Sequence, residues 1–184
     1  MVPAVGSWAA SSNSFVVRAG RTSRTSSPTA RLSPWLVNVN ADVYTIAVVD
    51  SVVYIGGAFT IVAGQSRNRV AAVHAVTGTL LPLNPNSDGT VRALAVGGSK
   101  LFMGGSFAQV GGQSRAQAAA VDLATGAVTA WDPHASSVVQ ALAVSGGTVY
   151  AGGQFTGIRD ALRNYIAALD TTSAVSQPPG IPTR

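Results

Sequence analysis

The sequence contains no cysteine, which excludes disulfide bonds and thiolate metal sites. It also contains no glutamate, a single lysine at Lys100, and only 10% charged residues. Because Glu and Lys are good helix formers, their scarcity beside abundant Val, Gly, Ala and Ser favours β-structure. No apolar run approaches the length of a membrane span, so the sequence predicts no such segment.

The 184 residues are 47% hydrophobic, which is enough to bury a core. Four of the twelve basic residues lie in the first 31 positions, which contain no acidic residue. From residue 32 onward there are eight basic residues and seven aspartates. The folded part is therefore near neutral, and no nucleic-acid partner is predicted. The basic N-terminal stretch is interpreted as a solvated tail, with phosphate or acidic glycans as the alternative contact. The first 15 residues have neither the basic region nor the continuous apolar region of a signal peptide.

A short motif occurs three times at a spacing of 48 residues. It reads "GGAFTIVAGQSR" at 56–67, "GGSFAQVGGQSR" at 104–115 and "GGQFTGIRDALR" at 152–163. Each copy follows two β-rich runs separated by a pair of turn residues, as in 43–57, 91–105 and 139–153, which predicts a tight hairpin. A third strand is predicted within 69–78, 117–126 and 165–174, and a fourth within 79–85 and 127–133.

A repeat of this length with four strands is typical of β-propeller blades. The sequence therefore predicts an all-β, propeller-type fold of three four-stranded blades across residues 35–172. Residues 1–34 are predicted to be an arm or linker, or part of another blade, and residues 173–184 a Pro-rich tether. Because propellers close with about four to eight blades, three blades imply an incomplete propeller that is completed by further blades or by self-association.

The segments 104–133 and 139–170 resemble the delta-60-type β-propeller repeats of bacterial surface and secreted proteins. The resemblance covers about residues 35–172. It implies an extracellular or cell-surface location and a kelch-like propeller, and it carries no catalytic residue. The third copy departs from the pattern where "RDAL" (159–162) replaces "GGQS" (111–114).

The segment "AVDLATGAVTAW" (120–131) is similar to the docking motif of quinoprotein dehydrogenase propellers. Four residues separate Gly126 from Trp131, whereas that motif has three. One extra residue in a strand turns the tryptophan to the opposite face. This departure counts against a quinoprotein.

Residues that recur at the 48-residue spacing are predicted to build the blades rather than to bind a ligand. The glycines would allow close backbone approach, the phenylalanines and tryptophans would form core, the aspartates would pin turns, and the arginines would satisfy carbonyls or carboxylates between blades. The set is Gly56, Gly57, Phe59, Arg67, Gly104, Gly105, Phe107, Arg115, Gly152, Gly153, Phe155, Arg163, Asp122, Asp170, Trp35 and Trp131.

Arg159 and Asp160 break the repeat on a loop that is uncharged in the other copies, which marks them as a possible partner contact. No catalytic, cofactor-binding or metal-binding residue is predicted. The predicted function is a non-catalytic binding or scaffolding module for a protein or glycan partner. One alternative is a fragment of a propeller hydrolase, lyase or quinoprotein-like dehydrogenase whose active site lies in missing blades. Another is an intracellular scaffold.

Overall fold

The computed structural model describes residues 35–172, and the segments 1–34 and 173–184, predicted as arm and tether, lie outside the described residues. Every regular element between 35 and 172 is a β-strand, so the all-β prediction is confirmed. The strands are β1 (Val43–Val49), β2 (Val52–Gly57), β3 (Ile61–Val62), β4 (Gln65–Ser66), β5 (Val70–His74), β6 (Thr90–Gly97), β7 (Lys100–Ser106), β8 (Gln109–Val110), β9 (Gln113–Ser114), β10 (Ala118–Asp122), β11 (Val139–Ser145), β12 (Thr148–Gly153), β13 (Gly157–Ile158), β14 (Ala161–Leu162) and β15 (Ile166–Asp170).

These strands form the same antiparallel unit three times. Sheet 1 has the strand order β1-β2-β5, sheet 2 the order β6-β7-β10 and sheet 3 the order β11-β12-β15. Each unit also contains a separate hairpin, β3-β4, β8-β9 or β13-β14. The first two strands of each sheet are joined by a two-residue turn that begins at Asp50, Gly98 or Gly146, all with positive φ. Such turns match the twist of paired strands, and the predicted tight hairpins are confirmed.

The prediction of four-stranded sheets is wrong for the fourth strand. The segments 79–85 and 127–133 contribute only single-residue bridges, from Leu80 to Val73 and from Val128 to Val121. In the first unit Pro82 follows two residues later and has no N–H to donate. In the second unit Trp131 packs among residues of sheet 3. The chain therefore leaves its sheet early and becomes a link to the next unit.

A β-bulge interrupts the first strand of every sheet, between Val43 and Thr45 in sheet 1 and at the equivalent position in sheets 2 and 3. The residue at the bulge is Tyr44, Arg92 or Gln140. The guanidinium carbon of Arg92 lies 5.5 Å from the centroid of the Tyr44 ring. This cation–π contact joins the bulges of sheets 1 and 2.

The sheets stack in chain order, with β1 against β6 and β6 against β11. We call the face of a sheet that contacts the preceding sheet its leading face, and the face that contacts the following sheet its trailing face. Apolar side chains fill both interfaces, which explains why alternate residues on both sides of each strand are apolar. Between sheets 1 and 2 the buried residues include Tyr54, Val70, Ala72, Val91, Leu94 and Met103, and between sheets 2 and 3 they include Phe102, Ala118, Val139, Val149, Ala151 and Leu169.

Candidate functional site

Most of the residues that recur at the 48-residue spacing lie in the framework. Phe59, Phe107 and Phe155 are all buried, each just before the hairpin of its unit. With at most 3% of each side chain exposed, they belong to the core and a ligand has no access to them.

The recurring arginines hold carbonyl oxygens within their own unit. Arg67 donates to the carbonyl of Leu81 at 3.2 Å, and Arg115 donates to that of Thr129 at 2.7 Å. Each also donates to the carbonyl of the preceding residue, and Arg163 does the same with Leu162 at 2.9 Å. In the first two units the guanidinium thus ties the hairpin to the segment after the third strand.

Trp35 and Trp131 each hold the sheet that follows them in the chain. Trp131 donates its indole N–H to the carbonyl of Asp170 at 2.8 Å, and Trp35 donates to that of His74 at 3.1 Å. The Trp131 ring also meets Phe102 edge-on, with ring centroids 5.0 Å apart. Because each acceptor ends the third strand of the following sheet, Trp131 ties the second unit to the third, and Trp35 ties the segment before β1 to sheet 1.

Leu83 holds the tryptophan position between Trp35 and Trp131, and an open cavity of about 360 Å³ lies beside it. Its lining includes Tyr54, whose pKa is raised by burial and by the negative charge of Asp50. The nearby carbonyl of Asp122 accepts a hydrogen bond from the Gly126 N–H at 2.8 Å. We interpret the cavity as the space that the indole of Trp35 or Trp131 occupies at the same repeat position.

Replacing Leu83 with tryptophan is expected to stabilise the protein by about 1 kcal/mol, a rise in Tm of roughly 2–4 °C. The indole would fill the cavity and donate to the Asp122 carbonyl, as Trp131 does to Asp170. Thermal unfolding measures the change, and Leu83→Phe, which adds a ring without an N–H, should gain less. A lower Tm for Leu83→Trp would contradict the repeat-based interpretation of the cavity.

Paired glycines mark the places where backbones approach. A Cβ added to Gly57, Gly105 or Gly153 would overlap a backbone carbonyl oxygen at or just before the start of the first strand of the same sheet. A Cβ on Gly104 would lie 2.6 Å from Cγ1 of Val139 in the next sheet. The first glycine of the pair therefore admits the neighbouring sheet, and the second admits the bulge.

The turn after the third strand is held by an acidic or imidazole side chain. Asp122 Oδ1 accepts the N–H groups of Ala124 at 3.1 Å and Thr125 at 2.9 Å, together with the Thr125 hydroxyl at 2.9 Å. Asp170 accepts the N–H and hydroxyl of Thr172 in the same way, and His74 Nδ1 accepts the N–H groups of residues 76 and 77. These hydrogen bonds, first from the Thr125 backbone and then from its hydroxyl, lower the pKa of Asp122.

Replacing Thr125 with valine is expected to raise the pKa of Asp122 toward its ordinary value, because the hydroxyl donor is lost while the backbone donor remains. The folded-state pKa lies below the unfolded one. The stabilisation from this turn is therefore complete above the unfolded pKa and is lost as the pH falls through the folded pKa. NMR titration of the Asp122 carboxyl measures the shift. The control is Thr77→Val, at the same repeat position in the first unit, which should leave the pKa of Asp122 unchanged. An equal shift of the Asp122 pKa in this variant would refute the local cause.

Arg159 and Asp160, the predicted partner contact, form the two-residue turn of the β13-β14 hairpin with φ of 45° and 59°. The other hairpins have the same positive-φ turn, built from residues 63–64 and 111–112. Arg159 folds back and donates to the Asp132 carbonyl at 3.3 Å, whereas Asp160 is exposed. The departure from "GGQS" thus keeps the turn and places one free-standing carboxylate at its tip.

One recurring position, occupied by Asn40, Asp88 and Ser136, was not predicted from the sequence. In every unit the side-chain oxygen accepts two consecutive backbone N–H groups at the start of the hairpin, at 2.9–3.1 Å. The residue type changes but the acceptor remains. The signal was a short polar side chain at the 48-residue spacing.

A polar pocket of about 310 Å³ lies between the first two units, and we call it the unit 1–2 pocket. Asn68 donates to Asn86 Oδ1 at 2.6 Å, and Arg69 donates to the Ala58 carbonyl. The two units carry these groups on different loops, which the stacking of the sheets brings together. The lining residues are Asn68, Arg69, Asn86, Ser87, Asp88, Gln109 and Gly112.

Residues 35–172 contain no group of three or more His, Asp or Glu side chains that could hold a metal ion. Asp132 Oδ2 lies 3.7 Å from Arg115 Nη1 and 3.2 Å from His134 Nε2. These contacts lie where the second unit meets the third. Over the same residues no helix is long and apolar enough to cross a membrane.

No protein-family model and no curated protein matches the sequence. Among solved structures, the chain is similar to the computationally designed Ika8 protein, with a TM-score of 0.49 and 15% identity over 73% of this chain. It spans 47% of the Ika8 chain, or about half its length. It is also similar to the designed Ika4 protein, with a TM-score of 0.44 and 14% identity over 72% of this chain and 93% of that one.

Proposed function

We propose that this chain is a non-catalytic β-propeller-type module of a bacterial surface or secreted protein, and that it binds a protein or glycan partner. The three sheets are proposed to be blades, and in the first two units a short bridge from the segment after the third strand extends the outer edge of the sheet. Support comes from three sheets of one design that stack through apolar faces in chain order. Such repetition gives a stable framework on which individual loops can vary.

The unit 1–2 pocket is the observation that carries the binding hypothesis. Its amide, carboxylate and guanidinium groups can donate and accept several hydrogen bonds at once, and it is open to solvent. The third copy of the repeat has different residues at most of these positions, with Tyr165 in place of Arg69 and His134 in place of Asn86. Asn68, Asn86 and Asp88 have counterparts in other units, whereas Arg69, Ser87 and Gln109 differ from theirs. Residues that depart from the repeat while lining a polar concavity support a ligand role.

A glycan array probed with the full chain tests the hypothesis, because glycan hydroxyls match the donors and acceptors of the pocket. Asn68→Ala is expected to weaken binding of any captured glycan about tenfold or more. Asn164→Ala, at the same repeat position in the third unit, should leave binding unchanged. Binding that both variants retain would place the site elsewhere, and Asp160→Ala would then test the hairpin tip.

The full-length reading frame provides an independent test. Further blades together with a sorting or adhesion domain would support the proposed surface module. A blade rich in His, Asp and Glu would favour the propeller-enzyme hypothesis instead. A full gene without an export signal would favour the intracellular scaffold.

A further inference from the structure

We propose that the trailing face of sheet 3 binds the leading face of sheet 1 in a second copy of this chain, and that two copies close into a ring of six sheets. The two sheet interfaces within the chain are the pattern for this contact between faces. The ring of six also rests on the propeller hypothesis proposed above.

The trailing face of sheet 3 has the same design as the trailing faces of sheets 1 and 2, but within residues 35–172 nothing covers its Tyr150 and Ile166. Ile166 is 69% exposed, whereas Val70 and Ala118 at the same repeat position are 0% and 1% exposed. Tyr150 is likewise exposed, while its counterparts Tyr54 and Phe102 are buried. An apolar surface of this kind is stable in water when a neighbour covers it.

The matching half is the part of the leading face of sheet 1 that lies on its first strand, because Ile55, Ala71 and Val73 on the same face are already packed with segment 35–39. Ile46 is 62% exposed, whereas Leu94 at the same position in sheet 2 is 6% exposed because sheet 1 covers it. Val48 and Val43 are also exposed on this face. The exposed side chains named on the two end faces are all uncharged, as in the two interfaces within the chain.

Gly152 indicates which surface the uncovered face fits. A Cβ on Gly56 or Gly104 would stand 2.9 or 2.6 Å from Cγ1 of a valine on the next sheet, Val91 or Val139. A Cβ on Gly152 meets nothing closer than 3.7 Å. Sheet 3 therefore keeps the glycine that would admit a neighbouring valine, although the described residues provide no such neighbour. Gly56 meets Val91 and Gly104 meets Val139, so Gly152 would meet Val43 of a second copy.

The number of copies follows from closure. When two copies join through one such contact, one leading face and one trailing face remain free at the ends. Further contacts of the same kind form a closed ring if the rotation between copies brings the ends together, and an open filament if it does not. Propellers contain about four to eight blades. With three sheets in residues 35–172 of each chain, two copies fall within this range and three copies exceed it.

Engineered cysteines test the contact directly, since the chain has no cysteine of its own. A Cβ on Gly97 would lie 3.4 Å from Cβ of Val144 across the interface of sheets 2 and 3, close to disulfide geometry. The next pair in the series is Ser145 and Val48 of a second copy. We expect a 1:1 mixture of separately purified Ser145→Cys and Val48→Cys chains to give a covalent dimer on oxidation, and neither variant alone to do so. Absence of the mixed dimer would overturn the contact.

Sedimentation of the full chain tests the assembly. The unmodified chain should sediment as a dimer. Gly152→Ala and Ile166→Asp should each weaken the dimer about 100-fold or more by blocking or charging the face. Both are expected to keep the fold of the monomer, which circular dichroism checks. Gly147→Ala, where an added Cβ meets nothing within 4 Å, and Val76→Asp, at a turn residue that is 78% exposed, are the matched controls.

The remaining outcomes separate the parts of the proposal. A monomeric unmodified chain would overturn it, and would indicate that another part of this chain or a different protein covers the faces. A larger assembly that still forms the mixed disulfide would support the contact and overturn the ring of six. Glycan binding by the unit 1–2 pocket is measured separately, so failure of that function leaves these results interpretable.

Discussion

Alanine at Gly105 is expected to lower the free energy of unfolding by about 3 kcal/mol or more. The added Cβ would overlap the carbonyl oxygen of Thr90, which belongs to the first strand of the same sheet. A backbone oxygen cannot move aside as a flexible side chain can, so the bulge or the strand pairing must shift. Urea denaturation followed by circular dichroism measures the change.

Gly147→Ala is the control for this substitution. Its Cβ would meet nothing within 4 Å, so its free energy of unfolding should stay within about 0.5 kcal/mol of the unmodified protein. Gly153, the equivalent of Gly105 in the third unit, should be as sensitive as Gly105. If Gly105→Ala and Gly147→Ala had equal effects, the close approach of the backbones would be refuted.

Truncation of Trp131 to alanine is expected to cost about 3–5 kcal/mol, because the ring is fully buried between sheets 2 and 3. The substitution would also remove the edge-on contact with Phe102 and the hydrogen bond to the Asp170 carbonyl. Hydrogen exchange should show that β15 loses protection first, since the indole ties that strand to the second unit.

Two further variants separate packing from hydrogen bonding. Trp131→Phe keeps an aromatic ring and loses the N–H donor, so it should cost about 1–2 kcal/mol. Leu83→Ala, at the same repeat position beside the open cavity, should cost less than Trp131→Ala because Leu83 is only half-buried. Equal losses for Trp131→Ala and Trp131→Phe would assign the whole effect to the hydrogen bond, contrary to the packing argument.

The sheet pattern could be predicted because its causes are local. Period-two alternation marks strands, and pairs such as Gly98 and Ser99 mark the turns between them. The 48-residue repeat then extends any assignment made in one unit to the others. The prediction of a fourth strand was wrong because proline and tryptophan in segments 79–85 and 127–133 direct the chain onto the next unit. That choice depends on a neighbour 39 residues away, which alternation alone does not show.

The candidate site was less predictable than the fold. Arg159 was singled out because it breaks the repeat, yet its guanidinium turns back to the Asp132 carbonyl. The unit 1–2 pocket was not found, because Asn68 and Gln109 lie 41 positions apart and meet only when the sheets stack. Asp88 was overlooked because the same acceptor role is filled by a different residue type in each unit.

The sequence by itself determined the strands, their turns and the threefold repetition, because these depend on side-chain alternation and on backbone freedom within a few residues. Only the tertiary structure decided which apolar faces are covered, since burial depends on the presence of a neighbouring sheet and not on residue type. Ile166 and Val70 have the same character and the same repeat position, and one is exposed while the other is buried. That difference exists because sheet 1 has a successor in the described chain and sheet 3 has none.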